Sequence, residues 1–445
     1  MRRLVRENAL CALLAGAGCA TIAWLGLYGF GWNDYETEAK PAFDALTHGH
    51  VLEFLRLAPA YGGSLIERAP FALLPGLWGG GQLAVYRMVA LPCLLAAAAL
   101  GVWLVAQMRE RERSPANSML AKAIVLGICV ANPLTLEALE LGHSEELLSA
   151  CLCVAAVLLA SRDRPVWAGL ALGLAIANKE WALVAAGPVL LALPGPITGS
   201  NDPSGPRVWM QARRAQIACL ASAVAVTAIV LAPLALVGSG GFVTAARGAA
   251  APSSTIFQPW QVFWFLGRHG PVVHGLFGEI KLGYRTAPAW VGVVSHPLVV
   301  VVGLGMAAAL WLQRRRGTGA VGERDALLLL TLVLLLRCLL DTWNTGYYML
   351  PFLLALLSWE ALGTGRRLPL LTLVAVILPW IGTYQLSAHG MSADLQSAIY
   401  LAWTLPLCAG LAMAVFVPGL MSRLTGLVGA QEMTVSSLGS PLSTS

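Results

Sequence analysis

Charged side chains are scarce in this sequence, and those inside or beside its apolar runs gather into four clusters. A charge near hydrocarbon is costly to desolvate, so such clusters are where chemistry or ion pairing is expected. The first is Trp32-Asn33-Asp34-Tyr35-Glu36-Thr37-Glu38, with three carboxylates directly after an apolar run. Any of Asp34, Glu36 and Glu38 could act there as a general base that takes the proton of an attacking hydroxyl; a solvated acidic loop has the same composition. The second holds Glu137, Glu140, His143, Glu145 and Glu146 at a turn between two apolar runs. Carboxylates and an imidazole at that spacing suit a divalent cation, and equally a capped helix start in a wet turn. In the third, Asn178-Lys179-Glu180-Trp181 breaks an apolar stretch, and its lysine offers a point charge to a phosphate or to outer water. The fourth is Arg337 with Asp341, Asn344, Tyr347 and Tyr348. Spaced four apart on a helix, Arg337 and Asp341 share a face and are expected to pair, while the guanidinium fork keeps donors for a phosphate.

The elements that must position these clusters are membrane helices. Of the 445 residues, 57% are hydrophobic and 12% charged, against about 25% charged in a soluble domain. Leu91–Val105, Ile217–Val237, Leu298–Leu312, Ala326–Leu336 and Leu368–Pro379 are apolar around the whole helical circumference. Roughly 20 such residues cross a bilayer as a helix, and no two-residue alternation suggests a barrel. Basic clusters at Arg2/Arg3/Arg6, Arg109/Arg111/Arg113, Arg162/Arg164, Arg207/Arg213/Arg214, Arg314–Arg316 and Arg366/Arg367 mark cytoplasmic loops. Two spans fit between each successive pair. The predicted helices lie near 9–30, 83–107, 119–137, 145–161, 166–178, 181–194, 216–237, 296–313, 325–341, 346–362, 368–386 and 396–418. The even count puts both termini in the cytoplasm and all four clusters near the outer face. The expected fold is an all-α polytopic membrane protein, one integral domain over 1–420, with a disordered cytoplasmic tail at 421–445. Long first and fourth outer loops, about 31–82 and 238–295, are expected to hold short interfacial helices, Phe257–Leu266 among them.

Several function classes fall away. The net charge of +6 comes from short clusters at helix ends rather than from a basic face, so no nucleic-acid partner is expected. All nine cysteines lie in apolar segments and read as small hydrophobes rather than as disulfides or metal ligands. There is no Walker loop, no His-Glu-x-x-His helix and no Gly-rich dinucleotide fingerprint.

Read together, the motifs resemble a known family. They are an acidic residue after the first helix, then Asp34-Tyr35…Tyr61…Arg68-Ala69-Pro70-Phe71, and Leu141-Gly142-His143-Ser144-Glu145-Glu146 opening a helix. After these come Trp167-Ala168-Gly169-Leu170-Ala171-Leu172-Gly173-Leu174-Ala175…Lys179-Glu180-Trp181 and Arg337…Asp341…Asn344…Tyr347-Tyr348…Pro351. Over about 9–418 the chain resembles the GT-C class of polyprenol-phosphate-sugar glycosyltransferases, and within it glycosyltransferase family 87. The resemblance implies a GT-C-like bundle that moves a sugar, mannose above all, from a polyprenyl-phosphate carrier to an acceptor hydroxyl at the outer face, with inversion. It implies Asp34 as the base, with Glu36 and Glu38 close enough to replace it. Lys179, Arg337, Arg68 and Arg268 would face the donor phosphate. Tyr35, His143, Glu146, Asp341, Asn344, Tyr347 and Tyr348 would line the substrate pocket. The implied partners are membrane lipid, the lipid-linked donor and a lipid or polysaccharide acceptor. No cofactor is required; no metal is expected, and a divalent ion stays open. A secondary transporter or lipid flippase is the alternative that a dozen broken helices also suit.

Overall fold

A chain in lipid must close its backbone hydrogen bonds on itself, and the described residues do so almost wholly as helix. The computed structural model describes residues 16, 18, 34–111, 118–193, 206–237, 241–250, 256–270, 273–274, 280–281, 283–316, 321–363 and 368–418. But for residues 16 and 18, the expected first helix lies outside these residues, as does the tail at 421–445.

Four short helices come first: α1 (Asp34–Glu38), α2 (Lys40–Thr47), α3 (Val51–Leu57) and α4 (Gly62–Leu73). Then follow α5 (Gln82–Arg111), α6 (Ser118–Ala131), α7 (Pro133–Leu141), α8 (Glu145–Ser161) and α9 (Pro165–Asn178). A 3-10 turn at Glu180–Ala185 leads into α10 (Ala186–Ala192), α11 (Pro206–Val237) and α12 (Gly241–Ala250). The remainder is α13 (Ala289–Arg316), α14 (Glu323–Leu340), α15 (Leu350–Ala361), α16 (Leu370–Pro379), α17 (Leu386–Ala388) and α18 (Ala393–Phe416).

Six helical segments among the described residues are long and apolar enough to cross a membrane: Gln82–Met108, Met119–Leu141, Arg213–Val237, Ala289–Arg315, Leu370–Ala388 and Ala393–Phe416. Each coincides with a predicted span. Helices α8, α9, α10 and α15 are shorter, and α14 carries Glu323, Arg324, Asp325 and Arg337. These are inner helices. Ala326 to Leu335 of α14 and Leu350 to Ser358 of α15 are buried without a break. Val224, Ile229 and Leu236 on α11, with Val293 and Val301 on α13, are instead exposed apolar side chains, a surface suited to lipid. The protein is therefore a membrane protein with a buried inner set of helices and an apolar outer set.

Small residues let the inner helices approach closely. A side chain at Gly169 or Gly173 of α9 would overlap α11 backbone at Cys219 or Ala223, the close-packed contact by which helices associate in lipid. As predicted, the apolar stretch breaks at Asn178-Lys179-Glu180, where Lys179 turns to an extended conformation.

The expected helix at Phe257–Leu266 is a correction. Pro259 lacks an N–H and disfavours helical geometry before it, and only Trp264–Leu266 forms a 3-10 turn. Two small ribbons follow, which no alternation had predicted: β1 (Arg268–His269) pairs with β4 (Arg285–Thr286), and β2 (Val273–His274) with β3 (Ile280–Lys281). Trp264, stacked on Phe257, anchors a second small core under this region. Asp394 at the start of α18 holds it down, bonded to Trp264, His269 and the Nε and Nη2 groups of Arg285.

Candidate active site

The site is built on a sharp turn between α7 and α8. Asn132 caps α7, its Oδ1 accepting from the N–H of Leu134 at 2.9 Å. Gly142 ends the helix in a left-handed conformation with φ +95°. Only glycine fits there on two counts, because an added Cβ would also overlap the backbone of Tyr35. That close approach brings α1, and with it Asp34, onto the turn. Gly142→Ala is expected to destabilise by about 1–2 kcal/mol from the backbone alone, and by more once Cβ meets Tyr35. Denaturation in detergent checks this against Gly127→Ala, whose Cβ would meet nothing within 4 Å.

From Asp34 a line of ion pairs runs inward. Oδ2 of Asp34 lies 3.3 Å from Nε2 of His143, whose Nδ1 lies 2.9 Å from Oε1 of Glu145. The same Glu145 oxygen takes Nζ of Lys179 at 3.0 Å, and its other oxygen lies 3.4 Å from Arg68. Lys179 reaches on to Glu146 at 3.6 Å, and Glu146 in turn pairs with Arg337 at 3.3 Å. Arg68, Lys179, Arg337, Glu145 and Glu146 are all buried, whereas the Asp34 side chain stays 35% exposed. The network thus opens outward at Asp34.

Aromatic rings wall it in. His143 stacks on Tyr347 with ring centres 5.1 Å apart and meets the edge of Tyr61. Lys179 sits 4.2 Å over the Tyr61 ring, and Tyr61 donates to Glu38 at 2.6 Å. Arg337 lies between Trp181 and Tyr348, each 4.5 Å from its guanidinium carbon. Trp181 also donates to Glu146 at 3.2 Å. Asn178 secures α8 by donating to the Glu145 carbonyl and to Ser149, each at 2.9 Å. Arg68 donates to Ser64 and Ser144.

Burial draws the His143 imidazole down, but hydrogen bonds to Asp34 and Glu145 outweigh it and hold the group up at about 9. It is a cation at neutral pH.

Asp34, His143, Glu146, Lys179, Arg68 and Arg337 of the predicted site residues therefore come together, with Tyr347 and Tyr348 against them. The others sit apart from the ion pairs. Tyr35 is buried and stacked on Tyr86 at 4.2 Å. Glu36 lies 3.9 Å from Lys40 on the same short segment. Asn344 is fully buried and donates to the Trp260 carbonyl and to Tyr400. Arg268 is exposed on β1, where it borders a cavity of about 360 Å³ with Thr286 and Pro288; among the described residues no ion pair joins it to the network.

The expected Arg337–Asp341 pair is a second correction. Helix α14 ends at Leu340 and Asp341 is extended, with ψ 120°, so its carboxylate leaves the helical face. It pairs with His296 of α13 at 3.0 Å, and Arg337 takes Glu146 instead. In the second cluster, Glu145 and Glu146 share the Lys179 ammonium, with His143 and Arg68 also on Glu145 and Arg337 on Glu146. Glu145 is the hub; its place in the second cluster was legible, its role in the site was not. Its signal was its place beside His143 in a first helical turn, and only the folded chain supplies the three cations around it.

Glycosyltransferase family 87 matches residues 63–340, more than half of the chain. The chain belongs to glycosyltransferase family 87 and is by that membership a membrane glycosyltransferase. The match includes Arg68, His143, Glu145, Glu146, Lys179 and Arg337; it begins after Asp34 and ends one residue before Asp341. No curated protein matches the chain.

Proposed function

We propose that the protein transfers a sugar, mannose by the family's habit, from a polyprenyl-phosphate carrier to an acceptor hydroxyl, with Asp34 as general base. The observation that carries this reading is the partly exposed Asp34 carboxylate at the open end of a buried line of ion pairs. The acceptor oxygen attacks the anomeric carbon and gives its proton to Asp34. The bond from that carbon to the phosphate oxygen breaks, and the phosphate leaves with the electron pair, inverting the centre.

Charge supports the donor assignment. Arg68, Lys179, Arg337 and the His143 cation gather at Asp34, Glu145 and Glu146 within ion-pair distance among the described residues. Such a group of cations in a desolvated place would stabilise a leaving phosphate. A lipid-linked donor arrives through the bilayer and needs no nucleotide domain. The bundle is a GT-C-like one of about 12 spans in this reading, in the cell membrane with the site outside. The opposite ends of α8 and α14 carry Arg162, Arg164 and Arg324, beside Arg314 of α13. They lie about 25 Å away along α8 and suit the cytoplasmic side.

The test offers membranes containing the protein radiolabelled polyprenyl-phosphate-mannose and, separately, a nucleotide-linked mannose. Label is expected to move from the lipid donor alone into a new glycosylated product. Label that crosses the bilayer still attached to its lipid, with no product, would replace the reading with a flippase.

A further inference from the structure

We infer that His143 is a positioning residue: a fixed imidazolium, clamped between two carboxylates, that holds one oxygen of Asp34 and leaves the other to the acceptor hydroxyl. The inference rests on the reading of Asp34 as base.

Both ring nitrogens of His143 face carboxylate oxygens, Nε2 toward Asp34 at 3.3 Å and Nδ1 toward Glu145 at 2.9 Å. A neutral imidazole has one N–H and one lone pair, so in either tautomer a lone pair would confront a carboxylate. Only the doubly protonated ring satisfies both sides. The ring cannot turn away, because Tyr347 stacks on its face and Tyr61 abuts it from α4's side. Glu145 is itself held by Lys179 and Arg68, so the clamp has a rigid inner jaw. The charged groups facing the ring are thus Asp34 from α1, Glu145 from α8 and Lys179 from the end of α9, with Arg68 of α4 behind Glu145.

A consequence follows for the proton. An imidazolium has no free lone pair, so His143 cannot relay the proton that Asp34 takes. That proton stays on Asp34 and leaves through its exposed side to water. Asp34 Oδ1 has no partner among the described residues, which leaves it open to the acceptor. The arrangement differs from a catalytic triad, where a neutral histidine is the base and the carboxylate orients it; here the roles are exchanged.

The test is a histidine titration by nuclear magnetic resonance on the full chain in detergent, labelled at the imidazole Cε1 carbon. His143→Gln assigns the resonance among the seven histidines, and His143→Asn assigns it independently if that variant fails to fold. The signal is expected to titrate near pH 9 and to fall by at least one unit in Asp34→Asn. A midpoint near the ordinary imidazole value of about 6.5, or one indifferent to Asp34→Asn, would overturn the inference. This readout needs no turnover, so it stands apart from any failure of the transferase assay. In the transfer assay the wild-type rate is expected to decline as pH passes 9. His143→Gln is expected to be slower by tenfold or more and to lack that limb; an unchanged limb would also count against the clamp.

Discussion

Asp34→Asn is expected to reduce sugar transfer by about 10²–10⁴-fold, the range a positioned general base supplies. The amide keeps the size of the carboxylate and loses the charge that takes the proton. With the side chain only part-buried and on a five-residue helix, the fold is expected to survive the change. The loss should fall on kcat, with KM for the lipid donor little altered, because the base acts on the acceptor. Glu36→Gln is the informative comparison, since Glu36 lies 3.9 Å from Lys40 rather than on His143. It is expected to stay within a few-fold of wild type. Glu38→Gln should behave likewise, its carboxylate being occupied by Tyr61. Loss confined to Glu36→Gln, with Asp34→Asn active, would keep the enzyme class and move the base two residues along α1.

The sequence made the polar groups of this site conspicuous and left their partners unreadable. Asp34, His143, Lys179 and Arg337 stood out because each interrupts or abuts an apolar run, and a charge there needs a reason. Their convergence depends on long-range packing: the left-handed turn at Gly142 and the contact between its backbone and Tyr35 bring Asp34 to His143. Local spacing misled at Arg337 and Asp341, because the i,i+4 rule holds only while the helix continues, and α14 stops at Leu340. Arg268 was drawn into the donor site by its charge alone, although it lies on a ribbon pinned to α18. The apolar spans were legible where helices face lipid. Helices α8, α9, α14 and α15 were legible as apolar too, but hydropathy does not separate a lipid-facing helix from one buried in its own protein. Six helices among the described residues have spanning length and composition, and the first expected span falls outside those residues.

Removing the Glu145 carboxylate is expected to be the most damaging single change to stability. Three cations rely on it: His143 at 2.9 Å, Lys179 at 3.0 Å and Arg68 at 3.4 Å. Glu145→Ala would leave them facing one another in a place without water. Breaking a buried ion pair by removing one partner costs about 3–5 kcal/mol, and this carboxylate serves more than one pair. Glu145→Gln keeps the volume and an acceptor oxygen, so it should be the milder variant. Denaturation in detergent micelles measures both, with Glu36→Gln as the exposed control. The pH dependence adds a second signature. In the folded chain His143 titrates at about 9, above the free imidazole value of 6.5. Its contribution to stability is therefore complete below pH 6.5 and disappears as pH rises through 9. Wild-type stability should fall across that window, and Glu145→Ala should fall less, because one of the two carboxylates that hold the proton on His143 is gone. Equal slopes in the two proteins, or a Glu145→Ala variant as stable as wild type, would mean that the cations are neutralised by something other than Glu145.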